Sequence, residues 1–394
     1  MPINTEDFHH WLINIRRDFH RHPELSHQET RTTDRIIDIL DKLGIDTQRF
    51  DDMTGAVGLI TGASEGKTIA LRADIDALPI TELNETDYIS ENDGVMHACG
   101  HDAHATVMLG VAKKIVDTKL MENLPGNVKF LFQPAEERVA GASAMIHRGV
   151  LENPRVDRVI AAHVTPQFEV GKIGIFEHIG FAAADRFVLT ITGRGGHGAR
   201  PEECIDPIVA GAHFITLVQS IISRNIKALD AAVITVGKFA AGVISNVVPE
   251  TAVLEGTIRT LDKTVRTLLI NRLTDLADGL EKTFGVQTDF ALHEGVPPGL
   301  NDETVSADLF QIAAKIVGEK NVSYIPPVMG AEDFAYFTQA RPGTMIRLGC
   351  ANQSRGITHP LHSPRFDMDE KVLDIGVAIF YKAIKQYLAD TSAP

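Results

Sequence analysis

Three histidines, one cysteine and one aspartate fall within the eight residues His97-Ala-Cys-Gly-His-Asp-Ala-His104. Imidazole nitrogen and thiolate sulfur are preferred ligands of zinc and similar divalent metals, and carboxylates add to them. Cys99 and His101 are two apart, and Gly100 between them lets the backbone turn so that both side chains can face one centre. The duller alternative is a polar loop with a buried thiol, because free cysteine is among the most buried residue types. The adjacent pair Glu136-Glu137 is the second feature. Neighbouring side chains point in different directions, so one carboxylate can bind a metal while the other faces a water, as a general base must. A solvated helix start rich in acids is the alternative for that pair.

Other residues could join such a site. His163 follows an apolar run, and His359 and His362 lie in a short loop with prolines. His97 and His104 have the right chemistry. His20, His22 and His27 are set aside as part of a helix end that can be exposed without consequence. Asp74 and Asp76 are two apart, a spacing that shares a face in a strand, and Asp76 could orient a metal-bound histidine. Gly193-Arg-Gly-Gly-His-Gly198 lacks the Lys-Ser/Thr of a phosphate loop and the acid of the dinucleotide fingerprint, so nucleotide binding is rejected there. His197 on that flexible turn reads instead as a movable catalytic group.

The elements that must position these residues follow from periodicity. Phe8, Leu12, Ile15 and Phe19 mark one face of a helix that stops near Pro23. Ser26 with Glu29 reads as a capping box for a second helix that buries Ile36, Leu40 and Leu43 and ends at Gly44. Strands are expected at 68–73, 128–132 and 158–162, with a helix at 104–116. Acids or a histidine follow each of these strands, and open α/β sheets bind ligands at the carboxyl ends of their strands. The alternation predicts an α/β fold with a mixed, mostly parallel sheet and helices on both faces. From 181 to 297 the order becomes β-α-β-β-α-β, the split pattern of a ferredoxin-like α+β domain. Residues 1–180 and 298–394 are therefore read as one domain and 181–297 as an insertion, with Pro297-Pro298-Gly299 at the return. A helix at 305–317, a loop at 329–334, a strand at 345–349, a loop at 358–363 and a helix at 370–388 complete the chain.

The formal net charge of −14 argues against nucleic acid as the main partner. No run is apolar enough to span a membrane. The N-terminus carries no signal-peptide pattern. Cys99, Cys204 and Cys350 are odd in number and far apart. This spacing forms no disulfide framework and suits a reducing compartment, so the expected location is the cytoplasm.

Ordered motifs then run nearly end to end: Asp18-Phe-His-Arg-His-Pro-Glu24, Arg72-Ala-Asp-Ile-Asp-Ala-Leu-Pro79, His97–His104, Phe132-Gln-Pro-Ala-Glu-Glu137, Gly193-Arg-Gly-Gly-His197, Ser245-Asn-Val-Val-Pro249, Met329-Gly-Ala-Glu-Asp-Phe334 and His362-Ser-Pro-Arg-Phe366. The chain resembles the M20 metallopeptidase family, and within it the amidohydrolase subfamily that includes hippurate hydrolases and auxin-amino acid conjugate hydrolases. The resemblance implies a zinc-exopeptidase-like fold and two divalent metals (Mn, Zn, Co or Ni) held by Cys99, His101, Glu137, His163 and His362, with Cys99 between the ions. It implies that Glu136 is the general base and that Asp76 supports the metal site. The inserted domain is implied to be a lid that also forms a homodimer. His197 would stabilise the tetrahedral intermediate, and Asn246 would bind substrate. The expected activity is hydrolysis of the amide bond of a small-molecule N-acyl amino acid by metal-activated water. A dipeptidase or aminopeptidase of the same family is the alternative. It would need a spare acid for a free ammonium group, for which Glu332 and Asp333 are the candidates. A catalytically inactive metal-binding protein of this fold is the rival from another class.

Overall fold

The computed structural model describes residues 5–390. The chain divides into two compact units. One contains the described residues through Gly180, Leu300–Pro326 and the described residues from Tyr336 onward, and the other contains Phe181–Gly299 and Pro327–Ala335.

The first unit is built on an eight-stranded sheet in the spatial order Asp46–Arg49, Ala56–Thr61, Asn127–Gln133, Thr68–Asp74, Arg158–Glu169, Gly343–Ala351, Ile173–Phe176, Val322–Ile325. The central strands, from Asn127–Gln133 across to Gly343–Ala351, are mutually parallel, and antiparallel strands flank them. Every residue of Thr68–Asp74 is buried, the apolar Ile69–Leu71 together with the paired charges of Arg72 and Asp74. Asp74 lies opposite Gln133 in the register, so the segments leaving these two strands emerge side by side. The helix Thr5–Arg21 buries Phe8, Leu12, Ile15 and Phe19, as the periodicity predicts. The helix His101–Asp117 is buried along nearly its whole length. Its Gly110 admits close neighbours: a Cβ there would lie 2.6 Å from Leu12 Cδ2 and 2.7 Å from Val377 Cγ2. Val377 belongs to the terminal helix Lys371–Ala389.

Four local expectations are corrected. Ser26 and Glu29 form no capping box, because the helix Thr30–Lys42 has no side-chain cap bond and both side chains are engaged elsewhere. The buried helix begins at His101 rather than His104, since Gly100 at φ +83° already turns the chain into it. Arg158–Glu169 runs well past residue 162, because Gly343–Ala351 continues to pair with it, placing Arg347 opposite His163. Two short antiparallel strands that the sequence reading does not place lie at one side of the sheet: the polar Asp46–Arg49 at its edge and Ala56–Thr61 between it and Asn127–Gln133.

The second unit has a four-stranded antiparallel sheet in the order Ala232–Ala241, Thr251–Thr260, Ala183–Thr192, Gln287–His293. With the helices Pro207–Asn225 and Lys263–Phe284 it reproduces the split β-α-β-β-α-β order. Phe187, Leu189 and Ile191 alternate inward and pack with Phe214, Leu269 and Leu273. Asp262 caps its helix by accepting from Thr264 N and Val265 N, and Gly285 ends the same helix at φ +70°.

Candidate metal centre

In the first unit the chain brings Cys99, His101, His163, Glu137 and His362 together, although they come from different elements. Cys99, His101 and His163 present ligand atoms within 4.8 Å of one another, and so do Cys99, Glu137 and His362. The two groups share Cys99. Its Sγ lies 3.5 Å from His163 Nε2 and 3.3 Å from His362 Nε2. Glu137 Oε1 is 3.5 Å from His362 Nε2 and 3.9 Å from His101 Nε2.

Backbone contacts fix which nitrogen of each histidine is free. His101 Nδ1 donates to the Asp76 carbonyl oxygen at 2.8 Å, and His163 Nδ1 donates to the Val164 carbonyl oxygen at 2.6 Å. A carbonyl can only accept, so both rings carry their proton on Nδ1 and turn the lone pair of Nε2 toward the cluster. His104 differs. Its Nε2 accepts from Val164 N at 2.9 Å and its Nδ1 donates to Asp74 Oδ1 at 2.5 Å. Both nitrogens are occupied, so His104 is a buttress rather than a candidate ligand. Asp74 is in turn held by Arg72 Nη1 at 2.6 Å.

The donor set fits a divalent cation. His101 Nε2 and Glu137 Oε1 are buried and have no hydrogen-bond partner among the described residues, a costly arrangement unless a cation takes the lone pairs. Burial pushes the Cys99 thiol up to about 12, and burial followed by the Arg347 charge pushes His163 well below the usual imidazole range. A mixed set of thiol, imidazole and carboxylate suits zinc and similar transition metals better than calcium or magnesium.

Asp76 ties the centre to the glutamate pair. Its carboxylate accepts from Glu136 N and Glu137 N, each at 3.1 Å, and from Ser26 Oγ at 2.7 Å. Burial opposes ionisation of this carboxyl, yet the His101 and Ser26 contacts hold it below the usual range. Glu136 is 8% exposed and groups with His101 and Glu137. His362, at φ +63°, is fixed by its amide donating to Ala98 O at 2.8 Å. His359 is exposed and belongs to none of the candidate metal groups among the described residues.

His197 and Asn246 belong to the second unit, on and beside the small ladder that pairs Gly196–His197 with Val247–Val248. Gly198 N donates to Asn246 O at 2.9 Å, and a Cβ on Gly198 would lie 3.0 Å from that oxygen. Ala199 N donates to His197 Nδ1 at 3.0 Å. The ring proton is therefore on Nε2, which leaves an exposed N–H donor. Glu332 and Asp333 are buried in the same unit.

Sequence reasoning set His20 aside as exposed, but it is 1% exposed, with Nδ1 2.7 Å from Asp102 Oδ2 and Nε2 3.2 Å from Glu82 Oε1. The i, i+4 spacing of Arg16 and His20 on a helix could have signalled a shared buried partner: Arg16 Nε also donates to Asp102, at 2.8 Å.

Residues 70–386 match the family described as Peptidase family M20/M25/M40. The chain is 38% identical to the N-acetyl-L-cysteine deacetylase of Bacillus subtilis, over 98% of this chain and 90% of that protein. It is 39% identical to the N-acetyldiaminopimelate deacetylase of Lactococcus lactis, over 96% and 97%. A crystal structure from Bacillus subtilis, described as a dinuclear metal-binding peptidase from the M20 family, superposes with a TM-score of 0.85 at 34% identity, covering 97% of this chain and 99% of that one.

Proposed function

The chain belongs to peptidase family M20/M25/M40 and is a hydrolase of amide bonds, and from that premise we propose that it cleaves N-acyl amino acids with two divalent cations per subunit. The observation that carries this reading is the pair of ligand groups sharing Cys99 beside Glu136. In this reading Cys99, His101 and His163 would hold one cation, and Cys99, Glu137 and His362 would hold the other. Bound cations lower the pKa of a water and polarise the acyl oxygen.

The chain's own residues supply the rest. Glu136 takes a proton from the attacking water as its oxygen bonds to the acyl carbon, then delivers that proton to the amine nitrogen as the C–N bond breaks. Asp76 holds the amides of both glutamates and orients His101. The Nε2–H of His197 is the donor for the developing oxyanion, and Asn246, beside it, contacts substrate. This assigns the second unit the role of a lid that completes the catalytic set on closure.

The second unit also supports a homodimer. Among the described residues its edge strand Ala232–Ala241 is unpaired on one side and exposes Val233 and Phe239, with Leu217 of the helix Pro207–Asn225 exposed as well. An apolar open edge of this kind favours pairing with a second copy. Among the described residues no helix is long and apolar enough to cross a membrane. The free cysteines fit a reducing compartment such as the cytoplasm.

The similarity to two deacetylases favours N-acetyl amino acids as the first substrates to test. Metal-stripped protein should be assayed against N-acyl amino acids and unmodified dipeptides after addition of Mn, Zn, Co or Ni. Turnover confined to N-acyl substrates is expected, and turnover of free dipeptides alone would replace this reading with the dipeptidase alternative.

A further inference from the structure

Three consecutive backbone amides at the glutamate pair each end on a buried carboxylate. Glu136 N and Glu137 N donate to Asp76, and Ala135 N donates to Glu29 Oε1 at 2.8 Å. Glu29 is 106 positions away in sequence and 0% exposed. Its second oxygen accepts from Thr54 Oγ1 at 2.6 Å.

The residue it holds is unusual. Ala135 has φ +54°, a left-handed conformation that an L-residue with a Cβ rarely adopts. Such a conformation persists where the surroundings over-determine it, and here they do. Ala135 O accepts from Ala140 N at 3.2 Å and Gly141 N at 3.4 Å. A Cβ on Gly141 would lie 1.6 Å from Pro134 O, and one on Gly55 would lie 2.7 Å from both Phe132 O and Pro134 Cδ. The turn is thus walled on two sides. Thr33 Oγ1 donates to Glu29 O at 2.6 Å and accepts from Gly55 N at 2.8 Å, so the backbone of Glu29 is fastened to the same wall.

We propose that Glu29 is a positioning residue for the catalytic turn: by accepting the Ala135 amide it keeps Ala135 left-handed and so aims Glu136 and Glu137 in their separate directions. It belongs to none of the candidate metal groups among the described residues. Removing its oxygen would leave a buried N–H without an acceptor, and the turn would relax until that N–H found one. Glu136 and Glu137 are the next two residues and would move with it. The proposal rests on the roles given above to these two glutamates.

The test compares Glu29→Ala with Glu29→Gln, whose amide oxygen can still accept from Ala135 N. Amide hydrogen exchange is read at residues 135–137 without substrate, metal affinity by competition with a chromophoric chelator, and kcat and KM on the loaded enzyme. For Glu29→Ala, exchange at 135–137 is expected to accelerate selectively. Metal affinity should fall about tenfold or more, as for the loss of other groups that orient ligands. kcat should fall up to about a hundredfold through misplacement of the base, with KM within about twofold of wild type. Glu29→Gln should restore all three readouts. Should Glu29→Ala not accumulate as folded protein, Glu29→Asp carries the test, because it keeps the charge and falls one methylene short of the amide. Unchanged exchange at 135–137, a uniform rise along the helix Thr30–Lys42 with a lowered Tm and no selective change, or a Gln variant as impaired as Ala would each overturn the proposal. The exchange result stands whichever substrate the enzyme proves to use, so failure of the positioning role and failure of the functional reading are separable.

Discussion

Cys99 and His362 lie 263 positions apart in the chain, yet Sγ and Nε2 meet at 3.3 Å. The cysteine thereby belongs to both ligand groups. If it bridges two cations, its loss should empty both positions rather than one. Cys99→Ala is expected to bind less than one ion per subunit by elemental analysis and to lose activity that added metal does not restore. A chelator should abolish wild-type activity reversibly. Retention of a full complement of metal by Cys99→Ala would contradict the bridging role.

Glu136 and Glu137 share one carboxylate acceptor for their amides but face different tasks. Glu136→Gln should keep the metals and the fold while kcat falls about a hundred- to ten-thousandfold, the usual contribution of a general acid-base group. Glu137→Gln should weaken metal binding itself. Metal titration of the two variants decides, and equal metal loss from both would show the division of roles to be wrong.

The tautomer of His197, fixed by the Ala199 amide, makes it a donor rather than a base. His197→Ala is expected to bind metal normally and to lose rate in the chemical step by about 2.7–4 kcal/mol, the cost of removing one oxyanion donor. Single-turnover kinetics isolate that step. A variant that loses only substrate affinity would assign His197 to binding instead.

Gly100 combines φ +83° with a would-be Cβ 2.3 Å from Val164 Cγ2. Gly100→Ala should cost about 1–2 kcal/mol for the left-handed backbone and about 1–3 kcal/mol more for overpacking. Because Cys99 and His101 flank it, metal affinity should drop as well. Denaturant unfolding and metal titration of the variant measure the two effects, and a neutral result in both would mean the loop can re-form elsewhere.

His20 gives a pH signature. Burial and the Arg16 charge act to lower its pKa, but the Asp102 and Glu82 carboxylates prevail and hold it above the ordinary imidazole value. A raised folded pKa means stabilisation that is fully present below the unfolded value of about 6.5 and lost as pH rises through the folded value. The stability difference between wild type and His20→Gln should therefore be largest in mildly acidic solution and shrink toward alkaline pH. A difference that grew with pH would reverse the assignment.

Residue types and local spacing were enough to determine that this chain carries a metal-competent cluster, a sheet with candidate ligands at its carboxyl ends and a split α+β insertion. Those features are local: an apolar run, a glycine between two ligand-type residues, an acid pair after a strand. Three-dimensional packing decided which of the chemically equivalent groups serve. His101 and His104 lie three apart on one buried helix, and only the backbone partners of their nitrogens separate a free lone pair from a spent one. His20 looked like a helix end and proved buried, because Asp102 and Glu82 reach it from 82 and 62 positions away. Ser26 and Glu29 have the spacing of a cap, yet their partners Asp76 and Ala135 come from distant segments. A hydrogen bond stabilises whichever donor and acceptor the folded backbone brings within about 3 Å, and that proximity across the chain is set by packing and cannot be read from spacing along it.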